Sequence, residues 1–238
     1  MVNAKNIIES DKLTYEPYHQ ARGEGFSGQL YLATEINNPG KKYIIKSSQA
    51  HVAACEFMFY ILVSKLELRA ACVRLVVPSK PNEFIYPACA VDFIPNAVKL
   101  KYDEYSKIDE CEILTNLSFI LGDRDNLDFL RDENGLVYKI DHSDCFGIEG
   151  TAETWLNPDK KTIEYMFYQM SKPKPNIGHY AEKEILRSIL EKVANFSITE
   201  FEDDFALIKK ICGTPFETHF RYYINELIEQ SKKLKYSS

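Results

Sequence analysis

Three aspartates in one stretch of the chain have the spacing of a metal-dependent site. Asp123, Asp128 and Asp141 lie within residues 118–147, where an acidic turn is followed by two short apolar strands around Asn134-Gly135. Asn-Gly between apolar strands is a strong β-hairpin signal, and a hairpin would bring Asp128 and Asp141 to one edge. Two carboxylates can share a hard cation, and a third one upstream completes the minimum for phosphoryl transfer.

A glycine-rich segment near the N-terminus is a candidate phosphate site. Residues 23–28 have the pattern Gly-x-Gly-x-x-Gly and precede an expected strand over residues 29–33. A dinucleotide-binding fold needs a helix at this point, whereas the glycine-rich loop of a kinase needs a strand. Alone, such a pattern is more often an ordinary turn. Glycines let backbone N–H groups approach phosphate oxygens, and the predicted binding residues are Gly23, Gly25, Ser27 and Gly28.

A lysine and a glutamate follow in the order that a nucleotide site would need. The expected strand over residues 41–46 ends in Lys46, and a hairpin would fold this lysine back beneath the glycines. Residues 50–66 form an almost entirely apolar helical pattern in which Glu56 is the one acid. A buried carboxylate needs a partner, and Lys46 is the natural candidate. The alternatives are a solvated lysine at a strand end and a glutamate on an exposed helix edge.

The remaining elements are expected to position these residues. Residues 1–22 read as irregular, residues 72–77 and 84–91 as strands, and residues 92–95 as a hinge. A helix over residues 108–121 should end at Gly122. Three packing helices are expected over residues 181–196, 201–212 and 216–234, the second after a Thr199-x-x-Glu202 capping box. The last helix carries an apolar stripe of Phe216, Phe220, Ile224, Leu227 and Ile228.

Composition limits the class of protein. The 238 residues, with 45% hydrophobic and 27% charged side chains, are ordinary for a globular protein, and a net charge of −6 argues against broad binding to nucleic acid or anionic membranes. The sequence shows no signal-peptide pattern and no apolar run of membrane-spanning length, so a cytoplasmic location is expected. The six scattered cysteines are expected to be reduced, structural thiols.

The acidic stretch resembles the catalytic and metal-binding segment of the bacterial HipA-like kinases and, more distantly, of the phosphatidylinositol kinases. Their pattern is roughly Asp-Arg-His-x-x-Asn, then about a dozen residues, then Ile-Asp-His; here it reads Asp-Arg-Asp-Asn-Leu-Asp over 123–128 and Ile-Asp-His-Ser over 140–143. The spacing fits without a gap. Asp125 stands where those families usually carry His, and Asp128 where they usually carry Asn.

The resemblance implies an α+β, two-lobed protein-kinase-like fold. A small N-terminal antiparallel sheet plus one helix would form an ATP-binding lobe over residues 1–95, and residues 96–238 a mostly helical catalytic lobe. ATP and Mg²⁺ are the implied cofactors. The implied roles are catalysis for Asp123, Lys46 and Glu56, metal binding for Asp128, Asp141 and Asn126, and adenine binding for Val91 and Phe93.

The implied activity is transfer of the ATP γ-phosphoryl group to a hydroxyl acceptor, a Ser or Thr of an unknown protein. A pseudokinase that binds nucleotide or a partner without turnover is one alternative, and a lipid or small-molecule kinase is another. An antitoxin or another regulatory protein is a candidate partner. Neither direct binding to nucleic acid nor membrane insertion is expected.

Overall fold

The computed structural model describes residues 6–18, 29–105, 108–122, 128–143, 145–146 and 183–236. Within them the chain has the expected α+β architecture: a curled sheet with one helix, followed by a second lobe of a small sheet and several helices. The lobe boundary near residue 95 stays a prediction. Across it, Ala70 of the first lobe forms an isolated parallel bridge with Lys139 of the second.

The first sheet has six strands among the described residues, in the order β1-β5-β6-β4-β3-β2. They are β1 (Ile7–Glu9), β2 (Leu13–Pro17), β3 (Gln29–Glu35), β4 (Asn38–Ser47), β5 (Val73–Val77) and β6 (Cys89–Asp92). Strand β1 pairs parallel to β5, while the other neighbours are antiparallel. The sheet is therefore antiparallel, as expected, except at its β1–β5 edge.

Two sequence expectations in this lobe were wrong for identifiable reasons. Residues 1–22 are not all irregular, because β1 and β2 complete the sheet; β1 has only three residues, too few to show a period. The strand expected from residue 84 begins only at Cys89. Pro87 lacks the N–H that a ladder needs, which is consistent with the irregular backbone before β6.

Helix α1 (Val52–Lys65) lies on one face of the sheet, and apolar side chains fill both faces. Successive side chains of β4 point to opposite faces of the sheet. Tyr43 and Ile45 belong to a small apolar cluster on the outer face, while Lys46 points to the inner face, toward α1. The inner cluster continues from α1 into the second lobe. The inner face is therefore the one that meets the rest of the molecule.

The second lobe contains the predicted hairpin. Strands β7 (Val98–Lys99), β8 (Asp128–Arg131) and β9 (Val137–Ile140) form an antiparallel sheet. The turn between β8 and β9 contains Gly135 at φ 81°, and the Asp132 carboxylate accepts the N–H groups of Asn134 and Leu136. The short helix α2 (Tyr102–Tyr105) precedes α3 (Asp109–Ile120). Gly122, just past α3, has a φ of 77°, the left-handed conformation predicted for the residue that stops this helix.

Three further helices follow: α4 (Lys183–Val193), α5 (Glu202–Ile211) and α6 (Thr214–Tyr236). Helix α4 packs against α3, α5 packs against α1, and both pack against α6. The predicted stripe of α6 is buried. The expected capping box at Thr199 and Glu202 was wrong: Ser197 and Glu200 form it at a 3₁₀ turn before α5. Both pairs fit Ser/Thr-x-x-Glu, so the pattern alone could not choose between them.

All six cysteines are free, as expected. Four are buried, where a thiol packs as a small apolar group. In the described part of the chain, no helix is both long enough and apolar enough to span a membrane.

Candidate functional site

Lys46 lies at the centre of the candidate site. It sits opposite Leu30 of β3 and Cys89 of β6, so the sheet fixes its backbone on both sides. Its ammonium contacts the Glu56 carboxylate, the ion pair expected from the sequence, and Nζ is also 3.4 Å from Oδ1 of Asp141. One lysine therefore joins β4, α1 and the segment that follows β9.

Glu56 is bound on two sides. Its side chain is 1% exposed, and its Oε1 also accepts the backbone N–H of His142 at 3.2 Å. A buried carboxylate is stable only when such partners replace the water it has lost. Through this one oxygen, α1 is attached both to the sheet and to the backbone beside Asp141.

Asp141 has an unusual backbone conformation. Its φ is 62°, in the left-handed region of the backbone that residues other than glycine rarely adopt. Conformations of this kind cost on the order of 1–3 kcal/mol and cluster at functional sites. Ser143 Oγ donates to Asp141 Oδ1 at 3.3 Å, and the carboxylate stays 40% exposed. The chain therefore holds a carboxylate beside Lys46 that a ligand can still reach.

The electrostatics keep this group of residues ionised. The positive charge of Lys46 lowers the pKa of Asp141 below its ordinary value, against the opposing effect of burial. Burial by itself lowers the pKa of Lys46, but the carboxylates of Glu56 and Asp141 outweigh it, and the net shift is upward. Lys46, Glu56 and Asp141 together carry one positive and two negative charges, and the positive charge of the buried Lys139 also helps to lower the pKa of Asp141.

His142 packs the segment against α1. Its ring stacks on Phe59 with centroids 3.6 Å apart and 10° between the planes, and Nδ1 is 3.4 Å from Nζ of Lys139. Burial, and then the charge of Lys139, hold the pKa of His142 well below its usual range. A neutral ring is the form that can accept the lysine N–H at Nδ1.

Asp128 begins β8 opposite Ile140, the residue before Asp141. The two aspartates therefore lie at the same end of the hairpin, as predicted. Asp128 Oδ1 is 2.6 Å from Nζ of Lys99 on β7. Carboxylates suit Mg²⁺, which is usually held by one or two of them together with phosphate and water, so the donor chemistry fits. Among the described residues, no group of three or more acidic, His or Cys side chains could hold a metal by itself.

The two predicted adenine-binding residues lie on β6 and just beyond it. Val91 sits opposite Ile44, two residues before Lys46, and so shares the lysine's face of the sheet. The Phe93 N–H donates to the Lys42 carbonyl at 3.0 Å, so this amide is already paired. A pocket of about 290 Å³ lies between residues 70–72, the hinge and the hairpin turn, and Phe93 is part of its wall.

Several predicted residues lie outside the described part of the chain. These are the glycine-rich segment with Gly23, Gly25, Ser27 and Gly28, the expected catalytic Asp123, and the alternative metal ligand Asn126. Their roles remain predictions.

Three residues of the site were missed from the sequence. Lys139 could have been found, because strand alternation places it on the buried side with Val137. The stacking of Phe59 on His142 brings together residues far apart in sequence. Lys99 reaches Asp128 through the pairing of β7 with β8, which has only two paired positions and no sequence signal.

Comparisons with known proteins support the fold. No family model matches the chain, and no curated protein matches it. Among solved structures, the Helicobacter pylori proinflammatory kinase CtkA is similar, with a TM-score of 0.57 and 12% identity over 92% of this chain and 97% of that one. Rad53 in complex with AMP-PNP matches with a TM-score of 0.30 and 18% identity over 86% of this chain and 60% of that one. The likeness to CtkA supports a two-lobed, kinase-like fold.

Proposed function

We propose that the chain is an ATP- and Mg²⁺-dependent phosphotransferase of the HipA-like type, which transfers the γ-phosphoryl group to a Ser or Thr hydroxyl of a protein. One observation carries this assignment: Lys46, whose side chain is only 15% exposed, joins Glu56 of α1 to Asp141 after β9. The kinase-like fold supports it, because in kinases a strand lysine, a helix glutamate and an aspartate occur in this order.

In the proposed reaction, Lys46 binds the α- and β-phosphates. Glu56 holds the ammonium in place, and the raised pKa of Lys46 keeps it charged at neutral pH. Gly23, Gly25, Ser27 and Gly28 are expected to cover the phosphates. Val91 and Phe93 are expected to contact adenine. These contacts position the nucleotide, and positioning supplies much of the catalysis in phosphoryl transfer.

Asp141 would hold Mg²⁺, joined by Asp128 where Lys99 leaves that carboxylate free, with Asn126 as an alternative ligand. When bound, the ion neutralises charge on the phosphate oxygens. Asp123 would orient the acceptor hydroxyl and take its proton. The exposed carboxylate of Asp141, beside Lys46, is the described group that best suits this metal role.

The assignment can be tested by following transfer of labelled γ-phosphate. Wild-type protein, Lys46→Met and Lys42→Met are incubated with ATP and Mg²⁺, and both incorporated label and released phosphate are measured. Lys42 lies on the same strand but is exposed, so its replacement is a matched control. Wild type and Lys42→Met should transfer phosphate, and Lys46→Met should lose roughly 10²–10³-fold, as for a lost charge-stabilising group. Equal activity in all three would contradict the assignment.

A nucleotide-binding pseudokinase is the second candidate, and the contact between Lys99 and Asp128 favours it. A lysine on a metal-ligand carboxylate competes with the metal for that carboxylate. The same experiment separates the two functions when nucleotide binding is measured in parallel by thermal shift. Stabilisation by ATP without label or released phosphate would favour the pseudokinase.

A further inference from the structure

The ion pair between Lys99 and Asp128 is set by the second sheet. Lys99 pairs with Leu130 in the β7–β8 ladder, and Asp128 lies two residues before Leu130 on the same face of β8. Diagonal neighbours of this kind are within reach of a long side chain. The 2.6 Å separation of Lys99 Nζ and Asp128 Oδ1 therefore follows from the strand register.

This pair stands at the edge of the candidate site. Asp128 is opposite Ile140, and the next residue, Asp141, contacts Lys46. The carboxylates of Glu56 and Asp141 share Lys46, with the buried Lys139 also near Asp141, whereas the carboxylate of Asp128 pairs with Lys99. Without the ammonium of Lys99, Asp128 would be a carboxylate without this cation, at the same end of the hairpin as Asp141.

An exposed pair of this kind contributes little to folding. The side chain of Lys99 is 63% exposed and that of Asp128 is 32% exposed. Exposed ion pairs contribute about 0.2–1 kcal/mol to stability, because water screens them and both side chains lose entropy. Removing the lysine should leave the fold intact, and its main effect should be on what else Asp128 can bind.

We propose that Lys99 is an internal counter-ion of Asp128, so that the site takes one divalent cation, held by Asp141, rather than two. This inference rests on the proposed function. The ammonium satisfies the Asp128 carboxylate in the place where a second ion would otherwise bind. A tethered cation needs no dissolved ion and loses no translational entropy on binding, so a second metal ion must displace Lys99 to reach Asp128.

The number of bound ions tests the inference without any turnover. The full chain is mixed with an equimolar non-hydrolysable ATP analogue at concentrations where all the nucleotide is bound. Mn²⁺ is then titrated as the probe, and electron paramagnetic resonance measures the free ion. Wild type should bind one Mn²⁺ per chain, and Lys99→Met should bind two. The matched control is Lys101→Met, which removes a nearby exposed lysine. The bond from Lys101 to Glu104 is made by its backbone N–H, which the substitution keeps. Lys101→Met should bind one Mn²⁺ per chain.

Two further variants separate a charge effect from a structural one. Lys99→Arg keeps the cation and should still bind one Mn²⁺. The double variant Lys99→Met, Asp128→Asn removes the freed carboxylate and should return the count from two to one. A change caused only by disturbed packing would not be reversed by a second substitution at Asp128.

Each outcome has a separate meaning. Two ions in wild type, or one ion in Lys99→Met, would overturn the inference while the proposed nucleotide site stands. If neither wild type nor Lys99→Met retains Mn²⁺ with the nucleotide, both the inference and the proposed function fail.

Discussion

The two faces of the six-stranded sheet carry ion clusters of opposite design. On the inner face one cation, Lys46, lies between two carboxylates, Glu56 and Asp141. On the outer face one carboxylate, Asp92, lies between two cations: Lys41 Nζ is 2.6 Å from one of its oxygens and Arg74 Nη1 is 2.6 Å from the other. The inner cluster has a net charge of −1 and the outer cluster a net charge of +1.

Burial separates the two clusters further. The side chain of Lys46 is 15% exposed and that of Glu56 is 1% exposed, whereas that of Lys41 is 37% exposed. Every charge of the outer cluster is offset by a neighbour or by water, and both cations also lie 5.6 Å from the ring centre of Tyr43. The outer cluster is a complete structural unit, while the inner one combines a buried ion pair with the Asp141 carboxylate, which is still 40% exposed. That difference is the reason for proposing the inner face as the functional one.

The largest expected effect is on stability, after replacement of the inner lysine. Lys46→Met leaves Glu56 buried and without its cation, and removing one partner of a buried pair costs about 3–5 kcal/mol. Urea denaturation should show a loss of this size. Lys41→Met, the matched change on the outer face, should cost no more than about 1 kcal/mol. Equal losses would remove the distinction between the faces.

A smaller effect is expected when only the charge of Glu56 is removed. In Glu56→Gln the amide oxygen can still accept the His142 N–H, but the bond to Lys46 loses its charge assistance. Hydrogen bonds to charged groups contribute about 1.5–3 kcal/mol to stability. The substitution should therefore lower the free energy of unfolding by an amount in that range. The control is Glu35→Gln: Glu35 accepts the Tyr43 hydroxyl at 3.2 Å on the outer face, and the change should cost less.

The dependence of stability on pH is a third test of the inner cluster. The pKa of His142 is lowered in the folded state. Below about pH 6.5, His142 therefore binds a proton in the unfolded chain but stays neutral in the folded chain. Stability should therefore fall as the pH drops below this value, by about 1.4 kcal/mol per pH unit for one such group. The charged groups around His142 are Lys139, Lys46 and Glu56.

The matching variant is His142→Phe, which can still stack on Phe59 but does not titrate. Urea denaturation at pH 7.5, 6.5 and 5.5 should give a shallower fall in this variant than in wild type. Part of the slope should remain, because burial also lowers the pKa of His51. A slope unchanged by the substitution would mean that His142 is not the titrating group.

The smallest expected effect concerns salt and the outer cluster. The contacts of Asp92 with Lys41 and Arg74 are partly exposed and therefore screened. Asp92→Asn should change stability by about 1 kcal/mol at low salt and by less at 1 M salt. The effect of Lys46→Met should persist at 1 M salt, since buried charges are screened much less. Loss of the Lys46 effect at high salt would show that the inner pair is as accessible as the outer one.

The sequence predicted what depended on local pattern. Glu56 stood out because it is the one acid in an otherwise apolar helix, and its need for a partner led to Lys46. The Asn-Gly turn predicted the hairpin, and with it the common end shared by Asp128 and Asp141. In each case a buried charge or a turn residue left few alternatives.

What could not be predicted depended on long-range pairing. The parallel contact of β1 with β5 joins strands more than sixty residues apart, and each strand alone is too short to show its partner. Lys99 reaches Asp128 only because two residues of β7 pair with β8. The left-handed backbone of Asp141 has no sequence signal, because aspartate is common in ordinary turns as well.

The most direct test of the account is the effect of Mg²⁺ on nucleotide affinity. A non-hydrolysable ATP analogue is titrated into wild type, Asp141→Asn and Asp92→Asn by calorimetry, with and without Mg²⁺. We expect Mg²⁺ to tighten nucleotide binding at least about tenfold in wild type and in Asp92→Asn, and to have little effect in Asp141→Asn. The ion pair between Lys46 and Glu56 does not involve Asp141 and should remain in that variant. If Asp141→Asn responds to Mg²⁺ as wild type does, the Asp141 carboxylate of the inner face is not a metal ligand and the central claim is wrong.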